Sequence, residues 1–253
     1  MTTPSPAPTA AMLAIGDELL SGRTKDLNVG RLADAMTGIG IDLIEVRFVR
    51  DDEDAIVEAL NALRERATYC FTSGGIGPTH DDITADAVAK AFGVPCEHDE
   101  RAMRLLGEHY ASRGIEFTDG RKRMARMPRG ADHIENRVSV APGFRIGNVH
   151  VMAGVPSVFQ AMLDAIIPTL EGAAPIVSEA VQVPAGIGEG DIAEPLAEID
   201  RQHGNVVIGS YPRFRDGAYA VEIVLRSRDE GALLAARDGV AAMIAALSGR
   251  VPS

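Results

Sequence analysis

The chain has 253 residues, 46% of them hydrophobic and 24% charged, ordinary proportions for a globular protein with room for one large domain or two unequal ones. Its formal net charge of −11 argues against nucleic acid or a membrane surface as partner, because both are negatively charged and the field of the whole protein would repel them. Cys70 and Cys96 have no His or Cys at metal-ligand spacing and read as reduced, structural thiols.

Residues 1–9 alternate Pro, Ser, Thr and Ala, bury too little apolar surface to order themselves, and are expected to form a disordered tail. The tail has no basic region followed by an apolar core, and no uninterrupted apolar run of about 18 residues follows, so a cytoplasmic location is expected. Met12 to Ile15 predicts a first strand. Leu27, Leu32, Ala35, Met36 and Ile39 mark a helix face that ends near Gly38 and Gly40, and Ile41 to Val49 is the next strand. The pattern repeats: a helix begun near Asp52 turns Ile56, Ala59, Leu60 and Leu63 inward, Ala67 to Phe71 is a strand, and Ile83 to Phe92 is a helix stopped by Gly93. Strands alternating with helices predict a mostly parallel sheet between two helical layers, a three-layer α/β/α domain. Its loops at the strand C-termini bring the Asp17 loop, the Asp51-Asp52 turn and the Gly74-Gly75 loop to one edge, where open α/β sheets bind ligands.

Helices are predicted at Glu100 to Ser112, at Asp119 to Met127 and from Pro156 to Leu170, with short strands near His133 and at Val149 to Met152. Gly172-Ala173-Ala174-Pro175 reads as a hinge between a large domain, residues 10–172, and a smaller α/β domain, residues 173–253. In the smaller one Ile176 to Val183, Ile192 to Gln202, Val206 to Ser210, Ala220 to Leu225 and Ala232 to Leu247 give the order β-α-β-β-α.

The run from Thr72 to Thr84, Thr-Ser-Gly-Gly-Ile-Gly-Pro-Thr-His-Asp-Asp-Ile-Thr, joins strand to helix, the place where an anion site forms. Gly74, Gly75 and Gly77 let the backbone approach a ligand, while Thr79, Asp81 and Asp82 supply caps for a helix whose free N–H groups face the loop. It is not a dinucleotide fingerprint, since the G-x-G-x-x-G spacing is missing, nor a Walker A loop, since no Gly-Lys-Ser/Thr closes it. Paired acids would repel a bare phosphate and so suggest a divalent cation or a metal-bound phosphate between them. The plain alternative is a glycine turn followed by ordinary helix caps, and Asp51, with Asp52 and Asp54, also stands where negative charge favours a helix start. His80 has no visible orienting partner and reads as a bystander, and Ser73 precedes the glycines rather than standing in a G-x-S-x-G elbow. The basic run Arg121-Lys122-Arg123, with Arg126 and Arg129, reads as a solvated helix face or as a neighbour of an acidic ligand.

At Thr72 to Thr84 the chain resembles the molybdopterin-binding domain family, shared by molybdopterin adenylyltransferases and the competence/damage-inducible protein A (CinA) family, and the Gly-Pro-Thr-His-Asp-Asp form looks like the latter. Ile15-Gly16-Asp17-Glu18-Leu19-Leu20-Ser21-Gly22 with Asn28, and Ala141-Pro142-Gly143-Phe144 with Gly154-Val155-Pro156, carry the same resemblance. Gly186 to Glu189 and Gly209 to Pro212 extend it into the second domain. The resemblance implies a small-molecule nucleotide or pterin phosphate as ligand and metal-dependent cleavage of a pyrophosphate in ADP-ribose or FAD. It implies a divalent metal (Mg2+ or Co2+), with a monovalent ion as a further candidate, and a homo-oligomer. Asp51 and Asp82 fall at the positions that hold the metal and carry the catalysis. Gly16, Asp17, Glu18, Ser21, Gly22, Asn28, Ser73, Gly74, Gly75, Gly77, Pro78, Thr79, Asp81, Thr84, Gly154 and Pro156 fall at ligand-binding positions. Longer relatives carry an amidohydrolase domain for which this chain leaves no room, so that activity is expected to be absent. Adenylyl transfer to molybdopterin belongs to shorter, single-domain relatives, and the second domain argues against it. Arg121, Arg123 and Met124 replace the family's Asn, Lys and Gln, and Val158 stands where a Glu is usual, departures that leave binding without turnover as the alternative.

Overall fold

The structure is a computed structural model that describes residues 7–215 and 218–249, and the first six residues of the expected tail lie outside the described residues. β1 (Thr9–Ile15) is buried from Ala10 onward, the continuous apolar run of a strand covered on both faces. At the end of the segment expected as a tail, Thr9 pairs with Asp42, and the Pro8 carbonyl accepts the Asp42 N–H at 3.1 Å. A single turn, α1 (Asp17–Leu20), precedes α2 (Asn28–Gly38), which buries Leu32 and Met36. β2 (Asp42–Val49) runs parallel to β1, and α3 (Glu53–Arg66) is capped by Asp52, whose side chain accepts the Ala55 N–H at 2.9 Å. Ile56, Ala59, Leu60 and Leu63 are all buried, as their helical spacing predicts.

β3 (Tyr69–Ser73) lies two residues later than predicted, because Ala67 still closes α3 by donating its N–H to Leu63. The strand therefore runs directly into the glycine loop. α4 (Thr84–Phe92) ends at Gly93, left-handed with φ 67°. β4 (Cys96–His98) and α5 (Glu100–Ser112) follow. The helix predicted over Asp119 to Met127 is broken into α6 (Asp119–Lys122), a 3-10 turn at Arg123–Ala125, and β5 (Arg126–Pro128), which pairs antiparallel with β4. Pro128 disfavours helical geometry at Met127, and the Arg126 fork bonds both Asp86 oxygens at 2.8 and 2.5 Å, which fixes the extended segment beside α4. β6 (Asp132–Ile134), β7 (Gly143–Ile146) and β8 (Val149–Met152) form an antiparallel edge, and α7 (Pro156–Ile166) gives way to a 3-10 turn at Ile167–Thr169 short of Leu170.

The main sheet has the order β2-β1-β3-β8-β7-β6, with β2, β1, β3 and β8 mutually parallel. One face carries a core that includes Ile56, Leu60, Leu63, Val88 and Leu106, the other a core that includes Leu32, Met36, Phe159 and Leu163, so the helices form two layers about the sheet. Because β1 lies between β2 and β3, the chain winds in opposite directions on either side of it. That reversal opens a crevice at the C-terminal edge of β1 and β3, where open α/β sheets place ligands.

Residues up to Ala173 form one compact unit and those from Ala174 a second. In the second, β9 (Val177–Val183), α8 (Glu189–Gln202), β10 (Val207–Arg215), β11 (Ala218–Ser227) and α9 (Glu230–Ser248) follow the predicted order, with an antiparallel sheet β10-β11-β9. Val221, Ile223 and Leu225 share a core with Leu233, Ala236, Val240 and Ile244 of α9. By length and composition α9 has the character of a membrane span, but Arg237 and Asp238 stand at its middle and its apolar side joins this core.

His150 of β8 is 3% exposed and stacked on Phe71 with ring centroids 5.1 Å apart. Burial, aided by the Arg145 charge, pushes its pKa down to about 4. A depressed imidazole contributes stability that is present above its ordinary value of 6.5 and lost as pH falls through about 4. His150→Phe, which keeps a stacked ring without a titrating group, is expected to lose less stability than the parent over that interval in thermal melts. Equal acid sensitivity of the two proteins would count against this assignment.

Candidate functional site

The glycine loop is held by the ends of three strands. Gly74 donates its N–H to the Met152 carbonyl of β8 at 3.1 Å, and at its φ of 110° a Cβ would run into the Ile15 carbonyl of β1. At Gly75, φ 68°, a Cβ would occupy the place of the Thr84 hydroxyl. That hydroxyl donates to the Gly74 carbonyl at 3.0 Å, and the Thr84 N–H to the Gly75 carbonyl at 3.0 Å. The Gly74 N–H and the Thr84 hydroxyl proton are thereby both committed to partners within the protein.

The expected helix caps are corrected. α4 has Ile83 at its N-cap and no side-chain cap, since the Gly75 carbonyl already takes its first N–H. The Asp82 Oδ2 instead accepts the Thr79 N–H at 2.7 Å and the Thr79 hydroxyl at 2.6 Å, folding the loop back on itself. Asn28, 3% exposed at the start of α2, donates through Nδ2 to Ser73 Oγ and to the Gly154 carbonyl, both at 2.8 Å. One amide thus ties α2 to the ends of β3 and β8. Arg31 donates to the Pro156 carbonyl from the same helix.

The loops enclose a cleft of about 570 Å³. Of the sequence-predicted residues, Gly16, Glu18, Asp51, Gly74, Gly75, Gly77, Pro78, Asp81, Asp82, Gly154 and Pro156 line it. Asn28, Ser73 and Thr84 are buried behind the wall, Thr79 turns to Asp82, and Ser21 and Gly22 close the turn after α1, where the Ser21 hydroxyl donates to the Glu18 carbonyl at 3.3 Å. Thr24, Ser139, Ala141 and an apolar wall of Met124, Val155, Val158 and Met162 were not among the predicted contacts. Met124 and Val158 had a signal in the sequence, since both stand where the resembled family carries polar residues.

Asp51 turns away from α3, leaving Asp52 to cap it, and its Oδ2 accepts the Asp17 N–H at 3.0 Å. Burial pushes the Asp51 carboxyl above its usual range; the Asp17 N–H opposes this, and the charges of Glu18, Asp17 and Asp81 add to the rise. Asp17 itself is exposed, with Arg50 Nε at 3.5 Å. His80 is almost fully exposed, its Nδ1 3.9 Å from Asp81. The basic run is paired within the protein: Arg121 lies over the Tyr110 ring, Lys122 meets Asp119, Arg129 meets Glu97, and Arg123 donates to the Asp82 carbonyl at 3.1 Å. Arg123 and Arg126 also border a small pocket beside Gly75 and Gly77. Among the described residues no group of three or more His, Cys, Asp or Glu side chains converges closely enough to hold a metal ion unaided.

Residues 11–172 match the family model described as probable molybdopterin binding domain, and residues 175–248 match that of the FAD synthase middle domain. A protein from Pyrobaculum arsenaticum is 38% identical over 85% of this chain and 84% of its own length. One from Aeropyrum pernix is 35% identical over 81% of this chain and 80% of its own. Among solved structures, the protein CinA with unknown function from Thermoplasma acidophilum is 33% identical, with a TM-score of 0.60 over 65% of this chain and 99% of that one.

The raised Asp51 pKa fixes the sign of a stability effect. Its ionisation costs the fold stability, so its contribution is full below the ordinary carboxylate value of 3.8 and lost as pH rises through the elevated one. With divalent ions chelated, Asp51→Asn is expected to melt at or above the parent temperature at pH 7, the gap closing as pH falls toward 3.8. A variant that melts lower at neutral pH would show that the bond from Asp17 outweighs the burial of the charge.

Proposed function

Because the chain belongs to the probable molybdopterin binding domain family, in its CinA-like form followed by an FAD synthase middle domain, we propose that its cleft binds a nucleotide or pterin phosphate and that it is a metal-dependent pyrophosphatase acting on an ADP-containing dinucleotide such as ADP-ribose or FAD. The observation that carries this reading is one cleft lined both by the glycine loop and by four carboxylates, Glu18, Asp51, Asp81 and Asp82. Its volume of about 570 Å³ suits such a ligand, since small-molecule sites span roughly 300–1,000 Å³.

The acids fit a divalent cation shared with a ligand. Mg2+ is usually bound by one or two carboxylates plus substrate phosphates rather than by a cage of side chains, which agrees with the absence of a three-ligand cluster among the described residues. Asp51 and Asp82 would hold Mg2+ or Co2+, and a monovalent ion is a further candidate beside the same carboxylates. When bound, the dication would neutralise charge developing on the bridging and leaving oxygens of a pyrophosphate. The N–H groups of Gly75 and Gly77 would grip the phosphates, and Met124, Val158 and Met162 would exclude water along one wall. Two of those apolar side chains support a second reading, ligand binding without turnover, because they replace polar residues of the family.

Incubation with Mg2+ or Co2+ and ADP-ribose or FAD, followed by chromatography for AMP, separates the two. No AMP with either metal, together with tight binding in calorimetry, would leave only the second reading. Asp82→Asn retains an oxygen for the Thr79 bonds, so its stability should change by less than about 1 kcal/mol, whereas turnover should fall by about 100-fold or more through loss of the charge that holds the metal. Normal turnover in that variant would make Asp82 a loop-folding residue alone. A homo-oligomer belongs to the same proposal, supported by the exposed Ile44 and Phe48 on edge strand β2. Sedimentation is expected to show more than one subunit at micromolar concentration, and a stable monomer would refute it.

A further inference from the structure

The segment between β6 and β7 contains Val140 at φ 66°, the one non-glycine residue with positive φ among the described residues. A β-branched side chain is poorly suited to that conformation, which persists only where the surroundings impose it. Asn136, 8% exposed, does the imposing. Its Oδ1 accepts the N–H groups of Val138 at 2.9 Å and Ser139 at 3.2 Å, while Nδ2 donates to Ser139 Oγ at 2.6 Å and to the Ala141 carbonyl at 2.9 Å. Two backbone donors aimed at one terminal atom identify that atom as the oxygen, so the amide orientation is fixed by the network.

This fixes a proton as well. Ser139 Oγ receives a hydrogen from Asn136 and cannot return its own to the same NH2 group, so its O–H is directed elsewhere. Ser139 is exposed, and it lines the cleft together with Ala141. The next residue, Pro142, borders the pocket beside Gly75 and Gly77, so the segment abuts the glycine loop. The strained turn thus places a second hydroxyl, with that of Thr24, among the acids and apolar groups that line the cleft.

We propose that Ser139 donates a hydrogen bond to an acceptor oxygen of the nucleotide bound in the cleft, and that Asn136 is a positioning residue which keeps the Ser139 proton free for that ligand. The proposal rests on the reading of the cleft as a nucleotide site. It separates from an architectural role because the two residues act on one proton. In Asn136→Asp the new carboxylate would accept the Ser139 O–H and draw it away from the cleft, so this change should imitate Ser139→Ala.

The test is calorimetric titration of the full chain with α,β-methylene-ADP, whose bridge cannot be hydrolysed, in the presence of Mg2+. Ser139→Ala is expected to weaken binding about tenfold, the loss typical of one hydrogen bond to a charged or polar group, with a modest fall in melting temperature because Asn136 Nδ2 loses one of its two acceptors. Ser139→Thr, which keeps the hydroxyl, should restore affinity. Asn136→Asp should weaken binding by a similar factor, and the double variant should bind no worse than either single one. If the parent binds and Ser139→Ala binds equally well, the assignment of Ser139 fails while the nucleotide reading stands. If the parent does not bind at all, the reading of the cleft fails and this proposal with it. Should Asn136→Asp not fold, the two Ser139 variants still decide the outcome.

Discussion

At Gly74 the chain passes so close to the end of β1 that only a residue without a side chain fits against the Ile15 carbonyl. There the Gly74 N–H is bonded to the Met152 carbonyl of β8 and the Gly74 carbonyl to Thr84. Asn28 then bridges Ser73 and Gly154 across the same edge. Each such bond adds only about 0.5–1.5 kcal/mol net, but a buried donor or acceptor left unpaired costs more, so the set holds together or fails together.

The same economy explains what the sequence could and could not show. The spacing of Ile56, Ala59, Leu60 and Leu63 announced α3, and Glu100 to Ser112 announced α5, because a long amphipathic face leaves a periodic trace. β6 and β7, three and four residues long, are too short to show a clear alternation, and β7 went unpredicted. The segment after Thr118 had helical composition, but the Arg126 pair with Asp86 and Pro128 overrode it. In the candidate site, the residue types were legible and their partners were not. A threonine or asparagine beside a glycine loop offers the same groups to a phosphate or to a neighbouring strand, and only the folded chain shows that Thr84 and Asn28 face inward.

The two units divide the work of burial. The first places its core on both faces of a mostly parallel sheet. The second covers its antiparallel sheet with α9 and holds a core of its own around Ile223 and Val240. The residues that line the cleft belong to the first unit.

Among the acids of the cleft, Asp82 and Asp51 stand in different relations to the fold. Asp82 has a structural task, since its Oδ2 gathers both Thr79 donors and shapes the loop. Asp51 has a single bond from the Asp17 N–H to set against partial burial and the charges of Glu18, Asp17 and Asp81. Helix capping does not account for it either, because Asp52 performs that task. A carboxylate whose ionisation the fold opposes, placed in a cleft, supports the proposal that Asp51 holds a metal there. A cation drawn to the cleft would reverse the sign of that opposition, turning the repulsion among these acids into the attraction that binds it.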